Sequence, residues 1–313
     1  MGRMFLKSTM KMVVALLALA AAFAAARTER LDETVAGFVE AAKEAVAPDE
    51  AADAAIEAAA VEIEGEAAIV VDLDSGKVLF SKAGDARMYP ASTTKIMTAL
   101  LALELGDLDE LVAVGEEARP ASPDESVAGL TVGSSMSLRD LLSGLMLPSG
   151  NDAARVIAKH IAEKAEGGPA KDWNAAFAAL MNAKAERLGA RDTHFANPHG
   201  LHDPEHYSTA YDLAVIAREA MRHPSFREIV ASGSYVTEAG DAWFGNRNKL
   251  LDEGGEEYFR GANGVKTGYT SAAGYCLVAS AEREGRELIS VVLRSTEEAL
   301  YSDTRRLLTY GFS

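Results

Sequence analysis

The chain has 313 residues, 48% of them apolar and 25% charged, with a formal net charge of −16. That length and composition suit a globular protein with a substantial buried core, and the negative balance argues against nucleic acid as the main partner. The single cysteine, Cys276, excludes an intrachain disulfide. Within the apolar run YCLVAS it reads as a buried, unreactive thiol.

Residues 1–11 carry Arg3, Lys7 and Lys11 and no acid; residues 12–26 are an unbroken apolar run, followed by Arg27. A basic start, a short apolar stretch and small residues near Ala24–Ala26 form the pattern of a secretory signal, or of an N-terminal anchor if it is not cleaved. Residues 28–66 are Ala-rich, with 12 acids against 2 bases. Leu31, Val35, Val39, Ala42 and Val46 share one helix face that Pro48 stops, so residues 27–65 are expected to be a helical or flexible spacer. From Glu66 the texture changes. AAIVVDLDSGKVLF predicts two strands joined by a turn at Asp74-Ser75-Gly76. After Pro90 the run STTKIMTAL predicts a helix, and Ser137 with Asp140 has capping-box-like spacing ahead of another. A third helix follows PSGN, further helices cover roughly 172–188 and 208–222, and GVKTGYT, GYCLVASA and ELISVVL predict strands before a last helix in DTRRLLTYGF. Strands at both ends with a helical block between them predict an α+β fold.

Three short stretches carry chemistry. Ser92 and Lys95 lie three residues apart, on one face of a helix that starts at or just before Ser92. A serine hydroxyl there sits among free N–H groups that favour developing negative charge. It needs a base to become a nucleophile, and a buried lysine whose neutral form is accessible can be that base. In PSGN, Ser149 can relay a proton and Asn151 can hold a carbonyl. In GVKTGYT, Lys266, Thr267 and Gly268 place a cation, a hydroxyl and a close-approach backbone on one strand, along which a peptide can add as a further strand. A second lysine would also discourage protonation of the first.

The ordered triplet S-x-x-K, S-x-N, K-T-G is that of penicillin-binding proteins and class A β-lactamases. With RMYPASTTKIMTAL, LMLPSGNDAA, THFANPHGL, YSTAYDLA, NRNKLL and GVKTGYTSAAGYCLVASA around it, the chain from about residue 66 to 312 resembles low-molecular-mass penicillin-binding proteins of the D-alanyl-D-alanine carboxypeptidase family. The resemblance implies a β-lactamase-like α+β fold with a helical subdomain on a mainly antiparallel sheet. It implies Ser92 as nucleophile, Lys95 as its base, Ser149 as proton shuttle and Asn151 as peptide ligand. Lys266 and Thr267 would hold the substrate carboxylate, and the backbone N–H groups of Ser92 and Tyr269 would form the oxyanion hole. Peptidoglycan stem peptides would be the substrate and β-lactams the inhibitors, in the periplasm, with no metal or organic cofactor and with membrane contact only through an uncleaved N-terminal segment.

Residues 191–206 hold no E-x-x-x-N element, which disfavours a β-lactamase. His194, His199, His202 and His206 crowd that segment without an H-E-x-x-H pattern, so they read as hydrogen-bonded loop histidines rather than zinc ligands. The resemblance stops where the catalytic domain ends, with no C-terminal β-rich domain following. The segment 297–301, EEALY, lacks the arginine that relatives often carry there, although Arg294 lies just upstream. That departure raises a D,D-endopeptidase, acting on peptidoglycan cross-links with the same serine, as the alternative activity. A non-catalytic β-lactam or peptidoglycan sensor is the reading from another class, disfavoured by the presence of every catalytic side chain.

Overall fold

A computed structural model describes residues 61–313. The apolar run 12–26 and the helical pattern of 31–46 lie outside the described residues. The two amino-terminal strands form where expected, β1 (Ala67–Asp72) and β2 (Val78–Lys82), antiparallel around the Asp74–Gly76 turn. Asp72 closes that turn by accepting from the Ser75 backbone N–H and hydroxyl at 2.9 and 2.7 Å, and Gly76 takes the left-handed φ of 73°. The carboxy-terminal strands β7 (Ala262–Thr270), β8 (Gly274–Arg283) and β9 (Arg286–Ser295) complete a five-stranded antiparallel sheet in the order β2-β1-β9-β8-β7. The fold is therefore α+β, built on a sheet from both ends of the described chain.

Between β2 and β7 lies the helical block. Its members are α1 (Lys95–Leu105), α2 (Leu138–Met146), α3 (Asn151–Glu166), α4 (Trp173–Leu188), α5 (Ala210–Ala220) and α6 (Pro224–Ala231). Two small hairpins decorate it, β3 (Leu111–Ala113) with β4 (Ser135–Ser137) and β5 (Ser234–Val236) with β6 (Trp243–Gly245). Caps set the helix starts: Ser137 accepts from the Asp140 N–H and Thr209 from that of Asp212, each ending a strand-like approach. Left-handed Gly167 and Gly189 end α3 and α4.

Both sheet faces are covered, which is why β1, β8 and β9 are nearly continuous apolar runs rather than alternating ones. Ala67, Ile69 and Val71 of β1, with Val278, Ile289, Val291 and Leu293, face the helical block. Ala68 and Val70, with Leu277, Ala279, Leu288 and Val292, face the last helix, α7 (Leu300–Phe312), through Leu300, Leu307 and Leu308. Residues 61–65 are tied to the same side: buried Asp303 of α7 accepts from the backbone N–H groups of Glu64 and Gly65 at 3.0 and 2.9 Å, and Lys82 donates to the carbonyls of Ile63 and Gly65. At the centre of the helical block, α1 is buried from Lys95 to Ala102. An apolar helix enclosed all round can hold a lysine only where the lysine has partners, and that lysine marks the functional site.

Candidate active site

The chain enters α1 through a single 3₁₀ turn, Ala91–Thr94, rather than a regular first helical turn. Ala91 has φ 49°, in the left-handed region, directly before Ser92; alanine there carries backbone strain of a kind that clusters at reactive sites. Thr93 and Thr94 hold the turn by donating to the carbonyls of Pro90 and Ala91, both at 2.7 Å. Three residues per turn place side chains i and i+3 over one another, and Lys95 Nζ lies 2.9 Å from Ser92 Oγ.

Lys95 has two further partners, Asn151 Oδ1 at 2.6 Å and the His199 carbonyl at 2.8 Å. Each comes from a different element. Asn151 opens α3 just after Ser149, whose φ of 68° folds the α2–α3 connection into the site. The other end of the Asn151 amide, Nδ2, donates to Glu125 at 3.3 Å, and Arg155 grips Glu125 at 2.7 Å. Burial raises the Glu125 carboxyl, but the Arg155 and Ala121 hydrogen bonds outweigh it and hold the group below its usual range. Asp152 collects the backbone N–H groups of Ala128, Gly129 and Leu130 at 2.8–3.0 Å and so docks the 126–130 loop against the start of α3.

The opposite wall is β7, an edge strand of the large sheet. Gly268 meets the Ser92 turn so closely that a Cβ there would stand 2.9 Å from Ser92 N and 3.1 Å from Thr93 N. A Gly268→Ala protein is therefore expected to fold but to be acylated roughly 10²-fold more slowly by penicillin, because β7 must move away from Ser92. Stopped-flow acylation beside a thermal melt checks this, and an unchanged rate would show that the strand has room. Lys266, two residues earlier, is 1% exposed and donates to the Thr267 carbonyl.

These walls enclose a cleft of about 290 Å³ lined by Ser92, Ser149, Asn151, Thr267, Gly268 and Tyr269, among others. Ser92, Ser149, Asn151, Thr267 and Tyr269 thus line one cleft, while Lys95, bonded to Ser92 and Asn151, and Lys266, bonded to the Thr267 carbonyl, are buried and do not line it. Complete burial, then the positive charges of Lys266 and Arg247, push Lys95 well below the ordinary lysine range. Burial, then Arg247, brings Lys266 down to about 7.

Sequence reasoning attached no role to Arg247. It lines the cleft on the segment after β6, donating to Ser126 Oγ at 2.8 Å; its only signal was its place in NRNKLL. Arg294 lies elsewhere: it pairs with Glu66 at 3.3 Å and lines a separate hollow with Arg87 and Tyr89. From the 297–301 segment the cleft receives Glu297, Leu300 and Tyr301, with Glu297 accepting from the Tyr275 hydroxyl at 2.8 Å. The loop histidines have structural partners. His194 Nδ1 lies 2.5 Å from the Glu205 carbonyl, His199 Nδ1 accepts from Leu201 N–H, His202 stands edge-on to Tyr89, and His206 contacts Thr94. Cys276 is buried with its thiol pushed up to about 11 by that burial, so it stays protonated.

The chain is 35% identical over 258 residues to the D-alanyl-D-alanine carboxypeptidase DacF of Bacillus subtilis, spanning 80% of this chain and 62% of that one. It is 38% identical to the D-alanyl-D-alanine carboxypeptidase of Streptomyces sp. K15, over 76% of this chain and 84% of that one. The crystal structure of the Streptomyces K15 DD-transpeptidase superposes with a TM-score of 0.71 at 36% identity, covering 80% of this chain and 98% of that one. Penicillin-binding protein D2 of Listeria monocytogenes, solved with ampicillin bound, superposes at 0.68 with 30% identity, covering 81% and 100%. The sequence profile of D-alanyl-D-alanine carboxypeptidases matches residues 53–297, a span that holds all three motifs of the cleft. The chain belongs to the D-alanyl-D-alanine carboxypeptidase family.

Proposed function

We propose that the protein is an exported serine D,D-carboxypeptidase that removes the terminal D-alanine from peptidoglycan stem pentapeptides through an acyl-enzyme on Ser92. The observation that carries this reading is the set of three partners around Lys95. As an ammonium, Nζ donates to Ser92 Oγ, Asn151 Oδ1 and the His199 carbonyl. Two of these are carbonyl-type oxygens that can only accept, so the proton Lys95 can give up is the one facing Ser92. Its depressed pKa favours that loss, and the freed lone pair then points at the serine hydroxyl.

Ser92 Oγ attacks the carbonyl carbon of the penultimate D-alanine while its proton passes to Lys95. The developing oxyanion lies between the backbone N–H groups of Ser92 and Tyr269, a stabilisation worth ~3 kcal/mol per donor. Collapse breaks the peptide bond, and the proton returns through Ser149 to the departing D-alanine nitrogen. Water then cleaves the ester to release the tetrapeptide and free Ser92. Asn151 orients Lys95 and the incoming peptide. Lys266, Thr267 and Arg247 hold the carboxylate of the leaving residue. A β-lactam follows the same first step, but its leaving nitrogen stays tethered, so the acyl-enzyme persists. The basic start and apolar run of residues 1–26 support export, hence a periplasmic site of action on the cell wall.

Mass spectrometry of muropeptides tests the reading, with Ser92→Ala as control. Loss of one alanine from monomeric pentapeptides is expected from the parent and not from the variant. Glu297, an acid at the cleft where a cation would favour a free carboxylate, supports a second reading, a D,D-endopeptidase. Conversion of cross-linked dimers to monomers with pentapeptides untouched would replace the first reading by the second.

A further inference from the structure

His206 lies behind the nucleophile turn, 2% exposed, with its ring edge-on to Phe195 at 5.5 Å. Its two nitrogens face partners that leave only one arrangement of protons. The Ala196 backbone N–H can only donate, and it reaches His206 Nδ1 at 3.1 Å, so Nδ1 carries the lone pair. The ring proton is then on Nε2, 2.8 Å from Thr94 Oγ1, and is donated to that hydroxyl. The hydroxyl's own proton goes to the Ala91 carbonyl at 2.7 Å, an acceptor only. The relay therefore runs in one direction, from Ala196 through His206 and Thr94 to Ala91. It ends on the residue whose left-handed φ turns Ser92 into the cleft.

Gly200, with φ 86°, closes the other side of the same carbonyl: a Cβ there would stand 1.8 Å from Ala91 O. The Ala91 peptide is thus held by a hydrogen bond and by backbone contact, not by the 3₁₀ turn alone. Burial brings the imidazole down to about 4, against the opposing charge of Asp203 and with His194, His202 and Lys95 adding to the depression. The neutral ring persists throughout the neutral range.

We infer that His206 is a positioning residue for acylation, locking the Ala91 peptide through Thr94 so that Ser92 Oγ stays aligned with Lys95. The inference rests on Ser92 as nucleophile. It commits to a mechanism in which the imidazole never touches substrate and acts only through the Thr94 hydroxyl.

The test is stopped-flow acylation by a fluorescent penicillin, with peptide mapping of the adduct and a thermal melt for each variant. Thr94→Val and His206→Phe are each expected to lower the maximal acylation rate ~10–100-fold, with the half-saturating penicillin concentration nearly unchanged. The double variant is expected to be no slower than the worse single one, because both break the same relay. Thr94→Ser and His206→Gln, which keep a hydroxyl and an N–H donor, are expected to restore most of the rate. If His206→Phe does not fold, the contrast between Thr94→Val and Thr94→Ser decides. Unchanged maximal rates in the correctly labelled Thr94→Val protein, or losses that multiply in the double variant, would overturn the relay alone. An adduct on a residue other than Ser92 in the parent, or no adduct, would overturn the reading of the nucleophile and the relay with it.

Discussion

Replacing Lys95 by methionine is expected to slow penicillin acylation of Ser92 by roughly 10³-fold, the scale on which a positioned general base acts. Methionine fills the buried space taken by Lys95 with a side chain of similar length, yet it can take no proton. The Asn151 Oδ1 and His199 carbonyl now bonded by Nζ lose a buried donor, at about 1–3 kcal/mol each. Melting should therefore fall along with the rate, partly offset because a costly buried amine has been removed. Lys95→Arg separates the two effects. Arginine supplies donors but stays charged at any accessible pH, so acylation should remain as slow as in the methionine protein. Acylation of either variant within tenfold of the parent would mean that another group takes the serine proton.

Lys266 is expected to set the pH profile. In the parent, burial first and then the positive charges of Lys266 and Arg247 hold Lys95 well below the ordinary lysine range. Lys266→Met removes one of them, so Lys95 should bind its proton more tightly and the acid limb of the maximal acylation rate should move to higher pH. The same substitution removes a charged donor to the ligand carboxylate and should weaken β-lactam binding ~10–100-fold. Lys266 itself titrates at about 7, and only its charged form attracts a carboxylate. Parent affinity for a carboxylate ligand should therefore fall by about tenfold per pH unit above that value, and this decline should vanish in Lys266→Met. Binding of a non-acylating carboxylate analogue from pH 6 to 9 measures it directly. A parent profile flat across that range would remove Lys266 from carboxylate recognition.

The three motifs were legible because each uses residues that ordinary secondary structure does not call for: a lysine inside an apolar helix, a serine and asparagine in a two-helix connection, a lysine and glycine in a strand. The sheet was legible at its two ends for the same kind of reason, since Ile69-Val70-Val71 and Val291-Val292-Leu293 are β-branched or apolar runs. What escaped had no local signature. The 3₁₀ form of the Ser92 turn depends on Thr93 and Thr94 bonding back to Pro90 and Ala91, while STTK by itself reads equally well as the first turn of an α-helix. Arg247 and Glu125 reach the site from segments distant in sequence, and nothing near them announces a cleft. The β5–β6 hairpin is short and keeps Val236 and Trp243 exposed, so it shows neither a buried alternation nor a glycine-rich turn of the expected length. The histidine-rich loop was legible as a loop. Its use as a brace was not, because Thr94 and His206 are 112 residues apart.

The order of strands in the large sheet has a consequence for how the protein is made. Strand β1 is the first described element to leave the ribosome, and its inner partner, β9, is nearly the last. Until β9 emerges, β1 has only β2 beside it, a two-stranded ribbon too small to persist in water. The edge strand that faces Ser92 likewise begins 170 positions after the serine itself. Closing such distant pairings is slow and cannot begin on a partial chain. A nascent chain therefore has neither a finished sheet nor a strand facing Ser92 until β7 and β9 have both emerged. The turn that carries Ser92 gains its facing strand only once residue 270 has been made.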